Sequence, residues 1–236
     1  MKKKVSKDYL IFITTLTVLC LACFIAFSML IVDEYTFKMD CFNGFIAKNR
    51  NDGLTSFFKV FTHLGSFYTL AVLAIAGLSV LYFVLKKKRF AVFSAVGFAL
   101  VCLENYFTKQ IVQRARPEKY MIIAETGFSF PSGHAMMTFA FFALAIYCVF
   151  KFLKNKPLKI SLIALFVTLI VSISFSRIYL GVHYLSDILA GWMLTFVIIV
   201  LVVALYKSNL FKFLKDEDKK QVKTNKNIQS DNVSKD

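Results

Sequence analysis

The chain predicts an all-α fold, a polytopic membrane protein with six transmembrane helices, on three observations: its composition, the length of its apolar runs and the placement of its charge. Of its 236 residues, 58% are hydrophobic and 16% aromatic, with 27 Phe, and the mean hydropathy is +0.63. A water-soluble domain does not carry so large an apolar share, so the bilayer is the solvent. Only 18% of residues are charged, yet 29 Lys and Arg face 14 Asp and Glu, a net charge of +15. The cations must therefore crowd into the stretches between apolar runs.

A transmembrane helix needs about 20 mostly apolar residues, because it rises about 1.5 Å per residue through about 30 Å of hydrocarbon. Six segments meet that requirement: Leu10 to Val32, Ser66 to Leu85, Phe90 to Thr108, His134 to Phe150, Ile160 to Ser176 and Ile188 to Tyr206. The first follows Lys2, Lys3 and Lys4 and has the look of a secretory or lipoprotein leader ending at Cys23. No A-x-A cleavage pattern is present, Cys20 stands where such a leader carries an aliphatic residue, and the apolar run continues to Val32. A retained helix is expected. The fifth run is the shortest and is expected to draw on Leu158 or on residues past Arg177 to complete its crossing.

Lys and Arg accumulate in cytoplasmic loops. Twenty of the 29 lie before the first run, between Lys86 and Arg89, between Lys151 and Lys159, and after Tyr206; nine lie in the alternate loops. Both termini are thus expected in the cytoplasm. The expected organisation is a cytoplasmic N-terminus over 1–8, a six-helix membrane domain over 9–207 and a basic, disordered cytoplasmic tail over 208–236, whose few apolar residues cannot bury a core. The tail lysines suit anionic head groups or simply mark topology, and no nucleic-acid motif accompanies them. Cys20, Cys23, Cys102 and Cys148 lie in apolar runs and only Cys41 in a polar loop, so neither a disulfide framework nor a cysteine function is expected.

Three polar clusters interrupt the oily pattern, and the topology places all of them at the outer face. Lys109-Gln-Ile-Val-Gln-Arg-Ala-Arg116-Pro117 leaves the third span, Pro131-Ser132-Gly133-His134 opens the fourth, and Ser176-Arg177-Ile-Tyr-Leu-Gly-Val-His183-Tyr-Leu-Ser-Asp187 joins the fifth to the sixth. Lys109, Arg116 and Arg177 are cations at a membrane rim, where unpaired charge is costly and such residues mark a site for a multivalent anion. Ion pairing with Glu104, Glu118, Glu125 or Asp187 is the alternative. Pro-Ser-Gly-His offers backbone N–H groups at a helix start and a serine hydroxyl, a cradle for phosphate or an ordinary N-cap. His183 and Asp187 are four apart and share a face if the sixth helix starts early, which would orient one imidazole nitrogen and free the other as nucleophile or base. His134 is a second imidazole, placed to act as a general acid.

In the order K-x6-R-P, P-S-G-H and S-R-x5-H-x3-D, these clusters resemble the tripartite signature of the type 2 phosphatidic acid phosphatase family, the lipid phosphate phosphatases. The resemblance spans nearly all of the chain before the tail. It implies a helical core like that of the acid phosphatases and vanadium haloperoxidases. It also implies that Lys109, Arg116 and Arg177 hold the phosphoryl oxygens with Ser132 and Gly133, and that His183 attacks phosphorus. Asp187 would orient His183, and His134 would protonate the leaving oxygen before water hydrolyses a phosphohistidine. No metal or other cofactor is implied, and the carboxylate cluster of a magnesium site is missing from the sequence. The expected activity is hydrolysis of a lipid phosphate or pyrophosphate at the outer leaflet of a bacterial plasma membrane. Undecaprenyl pyrophosphate is the first choice of substrate; phosphatidylglycerol phosphate and phosphatidic acid are the alternatives. Membrane lipids are the expected surroundings. A non-cleaving anion or lipid transporter is the competing class, opposed by the lack of an inverted repeat, and a haloperoxidase is opposed by the six spans.

Other residues carry open readings. Glu104 and Asn105 either buttress the site or reach the head groups. Arg114 either adds a guanidinium to the pocket or, the preferred reading, is an exposed interfacial charge. The segment from Asp33 to Gly65, rich in Phe, suits a helix along the interface or a cap over the bundle; His63, at its end, matches no motif. Tyr179, Tyr184 and Trp192 are expected in an aromatic belt.

Overall fold

The computed structural model describes residues 7–32 and 41–207. The expected tail over 208–236, most of the expected N-terminal segment and the first part of the outer segment lie outside the described residues. The described residues form helices without a β-strand: α1 (Lys7–Val32), α2 (Cys41–Lys48), α3 (Asp52–Phe61), α4 (Phe67–Ser79), α5 (Lys88–Val112), α6 (Gly133–Phe152), α7 (Lys156–Tyr179) and α8 (Leu185–Lys207). A short 3₁₀ turn, Thr62–Gly65, precedes α4, and a π-helical turn, Val80–Val84, extends it. Five of these helical segments are long and apolar enough to cross a membrane: Phe67–Val84, Lys88–Val112, Gly133–Phe152, Lys156–Tyr179 and Leu185–Tyr206. The first predicted span is helical throughout α1, and its described apolar core is the shorter stretch Thr17–Ala26, so five spans stand and the sixth remains an expectation. The short fifth run has grown at both ends. Asn155 caps α7 by accepting from Leu158 N, Pro157 sits in its first turn, and the helix runs on through Arg177 to Tyr179, the placement that a capping Asn and an early Pro favour.

Helix α6 is central and packs on α5, α7 and α8, while α1 lies along α8. Phe93 and Val101 of α5, Met136 of α6 and Leu194, Ile198 and Val202 of α8 form one core cluster. Phe142, Ile170 and Ile173 join α6 to α7 in another. Between lipid-facing helices such packing relies on close fit rather than on apolar burial, since lipid tails are as apolar as the side chains.

The helices alternate in direction, so their basic loops meet at one end and their motifs at the other. At the basic end, Arg89 donates to Tyr206 O and its guanidinium lies 4.8 Å from the Tyr206 ring centre, while Lys151 Nζ lies 5.5 Å from the centre of Phe90. The end of α5, the start of α6, the end of α7 and the start of α8 define the opposite end. There α2 and α3 cover the bundle. Asn43 of α2 is fully buried, whereas α3 buries no residue and leaves Phe57 and Val60 exposed. The outer segment thus caps the bundle through α2 and lays an apolar face outward through α3.

The aromatic belt is corrected at Tyr179. Tyr179 is buried, and its hydroxyl meets Asn51 N at 3.3 Å and Thr55 Oγ1 at 3.1 Å. Trp192 Nε1 donates to Ser174 Oγ at 3.3 Å, and the Tyr184 ring lies under a guanidinium. All three serve contacts within the protein. Of the cysteines, Cys102 and Cys148 are free thiols.

The turn between α7 and α8 is locked by a glycine. Gly181 has φ +76°, and a Cβ there would lie 1.9 Å from Tyr120 O. Both the left-handed backbone and the close approach require glycine. Gly181→Ala is expected to cost about 2–4 kcal/mol of stability, the scale of an overpacked and strained site, and to lower the thermal midpoint measured in detergent; an unchanged midpoint would contradict the close approach.

Candidate active site

Every sequence-predicted site residue stands at this one end of the bundle. The elements that bring them together are helix termini tied by backbone hydrogen bonds across long sequence separations. Ser132 N donates to Asp187 O at 3.1 Å, Ile122 N to Leu180 O at 3.1 Å and Ser129 N to Arg114 O at 2.8 Å. These bonds join the loop after α5, the start of α6 and the turn before α8.

His183 precedes α8 rather than lying in its first turn, because the helix begins at Leu185. The pairing with Asp187 forms nonetheless, as a turn contact and not through a shared helical face. His183 Nδ1 lies 3.2 Å from Asp187 Oδ2, which also accepts from Tyr184 N at 2.9 Å. A carboxylate only accepts, so Nδ1 carries the proton and Nε2 holds the free lone pair. That lone pair lies 3.4 Å from Arg116 Nη1. His183 is 2% exposed and Asp187 is fully buried. Burial pushes the His183 imidazole down to about 4, against the opposing hydrogen bond and charge of Asp187, with Lys109 and Arg177 adding to the depression. The ring is thus neutral at pH 7, as a nucleophile must be.

The cations surround this imidazole. Arg116 donates to Val182 O at 2.9 Å through Nη1, to Gly127 O at 3.0 Å through Nε and to Thr126 O at 3.0 Å through Nη2. Arg177, 1% exposed, donates to Thr62 Oγ1 at 2.9 Å and pairs with Glu125 through Nη2. Its Nε is buried with no hydrogen-bond partner among the described residues. Lys109 Nζ donates to Phe128 O. The expected competition from internal ion pairs is therefore partial: Arg177 has a close carboxylate, Arg116 lies 3.9 Å from the same one, and Lys109 is held by a carbonyl.

At the start of α6, Ser132 is fully buried and acts as the N-cap, its hydroxyl accepting from Ala135 N at 3.4 Å. The ordinary capping reading is thus satisfied, and the hydroxyl proton is left for a ligand. Gly133 follows against Asn105, whose Oδ1 would lie 3.0 Å from a Cβ at that position. His134 shares the field of Arg177, His183 and Arg116. A Cβ on Gly65 of the 3₁₀ turn would lie 3.3 Å from His134 Cδ2 and 2.3 Å from Ile173 Cγ2. The absence of a side chain at residue 65 therefore seats that turn against α6 and α7. His63 itself is exposed.

The structure resolves the open readings. Asn105 buttresses the site, donating to Pro131 O at 3.1 Å and to Met136 Sδ at 3.3 Å. Glu104 instead accepts from Thr108 Oγ1 at 3.3 Å, one turn along its own helix. Arg114 overturns its preferred reading. Its side chain is 8% exposed, and Nη1 reaches Asp187 Oδ1 at 2.6 Å and Ser186 Oγ at 2.9 Å, with the guanidinium 3.8 Å from the Tyr184 ring centre. It stands on the carboxylate that meets His183. Asn43, which sequence reasoning missed, donates to His183 O at 2.9 Å. Arg50, also missed, donates to Tyr179 O and Tyr120 O, each at 2.8 Å.

The model of the PAP2 superfamily matches residues 90–211, more than half of the chain and all three clusters. The chain belongs to the PAP2 superfamily. It is 32% identical over 145 residues to phosphatidylglycerophosphatase B of Bacillus subtilis (strain 168), a match spanning 60% of this chain and 70% of that one. Its fold is similar to the crystal structure of a transmembrane PAP2-type phosphatidylglycerolphosphate phosphatase from Bacillus subtilis. The TM-score is 0.71 at 24% identity, over 80% of this chain and 94% of that one. It is also similar in fold to Aquifex aeolicus LpxE, with a TM-score of 0.51 at 23% identity over 69% of this chain and 93% of that one. This PAP2 protein is accordingly an all-helical, multi-pass membrane member of the superfamily.

The neutral, buried imidazole gives the first test of the site. In nitrogen NMR of the detergent-solubilised PAP2 protein, the His183 ring is expected to remain neutral down to a midpoint of about 4. A midpoint near the ordinary imidazole range would contradict the burial.

Proposed function

We propose that this protein is a lipid phosphate phosphatase that transfers a phosphoryl group to His183 and then to water. The observation that carries the reading is the His183 Nε2 lone pair, fixed by Asp187 and set beside Arg116. Nε2 attacks phosphorus, forming the N–P bond as the P–O bond to the lipid breaks, and His134 gives a proton to the departing oxygen. Water, its proton taken by the same His134, then attacks phosphorus; the N–P bond breaks and phosphate leaves. Lys109, Arg116 and Arg177, with the donors of Ser132 and Gly133, stabilise the phosphoryl oxygens, which is most of what catalysis of this transfer requires. The reading needs no metal, and among the described residues no three His, Cys, Asp or Glu gather as ligands.

The similarity to phosphatidylglycerophosphatase B supports phosphatidylglycerol phosphate as the substrate over undecaprenyl pyrophosphate, the choice that sequence alone preferred. Both present a terminal phosphate, and the pocket residues address only that group. The gathering of Lys86 to Arg89, Lys151 and the end of α8 at the end opposite the site supports a cytoplasmic location for the basic loops and an outer-face location for the pocket. A transporter that binds without cleaving is the other class, and phosphate release from a lipid phosphate separates the two.

His183→Ala is expected to abolish phosphate release while lipid phosphate binding persists; turnover by that variant would remove the nucleophile from the scheme. Activity is expected to survive EDTA and to fall with vanadate, a mimic of pentacoordinate phosphorus, whereas loss in EDTA reversed by magnesium would refute the metal-free route. Arg114→Gln is expected to lower kcat about a hundredfold with KM nearly unchanged, the loss that follows when a reacting group is displaced by about 1 Å. A rise in KM alone would place Arg114 in substrate binding instead. A side-by-side assay is expected to favour phosphatidylglycerol phosphate over undecaprenyl pyrophosphate, and the reverse preference would overturn the substrate.

A further inference from the structure

Glu125 lies outside the three motifs, on the loop between α5 and α6, yet it reaches the guanidinium groups of two of them. Its Oε1 accepts from Arg177 Nη2, and its Oε2 lies 3.9 Å from Arg116 Nη2. Burial pushes the Glu125 carboxyl up, but Arg177 and then Arg116 and His183 pull it further down, so it stays ionised. Its side chain is 29% exposed, against 8% for Arg116 and 2% for Arg177.

A carboxylate has two oxygens and one charge; a terminal phosphoryl group has three oxygens and up to two charges. Glu125 matches Arg177 incompletely, because Arg177 Nε stays buried without a partner. That unused donor means that an anion with a third oxygen and a second charge would be held better than the carboxylate that stands there.

We propose that Glu125 is a resident anion, which holds the phosphoryl seat between turnovers and is displaced only by a dianionic terminal phosphate. The inference rests on the phosphatase reading for its substrate and adds the means of selection. A membrane enzyme works among phospholipids whose phosphodiesters carry a single negative charge. Against such a monoanion, exchange for Glu125 gains no charge and sacrifices an intramolecular pair. A monoester or a terminal pyrophosphate gains both a charge and a third oxygen. Glu125 thereby keeps bulk lipid head groups out of a pocket that would otherwise bind them.

The test uses the full chain in detergent micelles, comparing wild type with Glu125→Gln, which keeps the shape and removes the charge. Inorganic phosphate is expected to bind Glu125→Gln at least about tenfold more tightly by calorimetry, which corresponds to about 1.4 kcal/mol. Dimethyl phosphate, a soluble phosphodiester, is expected to inhibit lipid phosphate hydrolysis by Glu125→Gln at concentrations that leave wild type unaffected. Glu125→Asp, a carboxylate on a shorter stem, is expected to bind phosphate with an affinity between the two and covers the case in which the Gln variant does not fold. Phosphate affinity equal to or weaker than that of wild type in whichever variant folds, or equal diester inhibition of wild type and Glu125→Gln, overturns the proposal. Failure of the phosphatase reading looks different: wild type then releases no phosphate from any lipid phosphate, whatever the binding measurements give.

Discussion

Four cations held together at the rim of a membrane domain are the constraint on which the rest of the structure depends. Like charges at close range repel strongly where the effective dielectric is low, so Lys109, Arg114, Arg116 and Arg177 can share one site only if each has its own compensation. The compensation is unequal. Arg114 has Asp187 and Arg177 has Glu125, whereas Lys109 and Arg116 rest chiefly on the carbonyls of Phe128, Thr126, Gly127 and Val182. Carbonyl dipoles steady a cation without neutralising it. Four cations against two carboxylates leave this end of the bundle with a surplus of positive charge.

Beside these cations the His183 imidazole is held in a fixed pose, and the pose is set from several directions. Asp187 fixes the His183 tautomer, Arg114 and Tyr184 N fix Asp187, and Asn43 fixes the His183 carbonyl. Arg50 ties the end of α7 to a second 3₁₀ turn, Glu118–Tyr120, by bonding one carbonyl of each. The short outer segment is therefore part of the scaffold of the His183 turn. Because three strands of this support come from α2 and the residues just after it, loss of that segment would loosen the imidazole without touching a motif residue.

The sequence made the helices and the motif residues legible for one reason: a charged or imidazole side chain is so disfavoured in an oily chain that each one demands an explanation. Lys109, Arg116, Arg177 and His183 stood out on that ground. Asn43 and Arg50 did not, and Arg114 and Glu125 carried only open readings, because each lies in a polar loop or amphipathic stretch where such a residue needs no explanation. Their roles come from partners 72, 140, 129 and 52 positions away in the chain, a relation that spacing along one segment cannot reveal. The turn before α8 shows the limit from the other side. The four-residue separation of His183 and Asp187 correctly signalled a pair, but the expected helical face was the wrong geometry, since the carboxylate also serves Tyr184 N and ends the turn.

The same balance explains why lipid tails left so weak a trace. Toward the motif end the bundle exposes large apolar side chains: Ile111 is 81% exposed on α5, one turn past Phe107, and Val60 on α3 is 74% exposed. A tail lying there exchanges one hydrocarbon neighbour for another, so little binding energy distinguishes an isoprenoid from an acyl chain. Discrimination must then come from the head group, where charge and oxygen number change the interaction by much more. On the proposed reading, the enzyme recognises the end of a lipid that leaves the hydrocarbon and stays indifferent to the part that remains in it. Polar contacts around Arg116 and Arg177 then decide which lipids are substrates, and the oily faces of α3 and α5 decide only how they arrive.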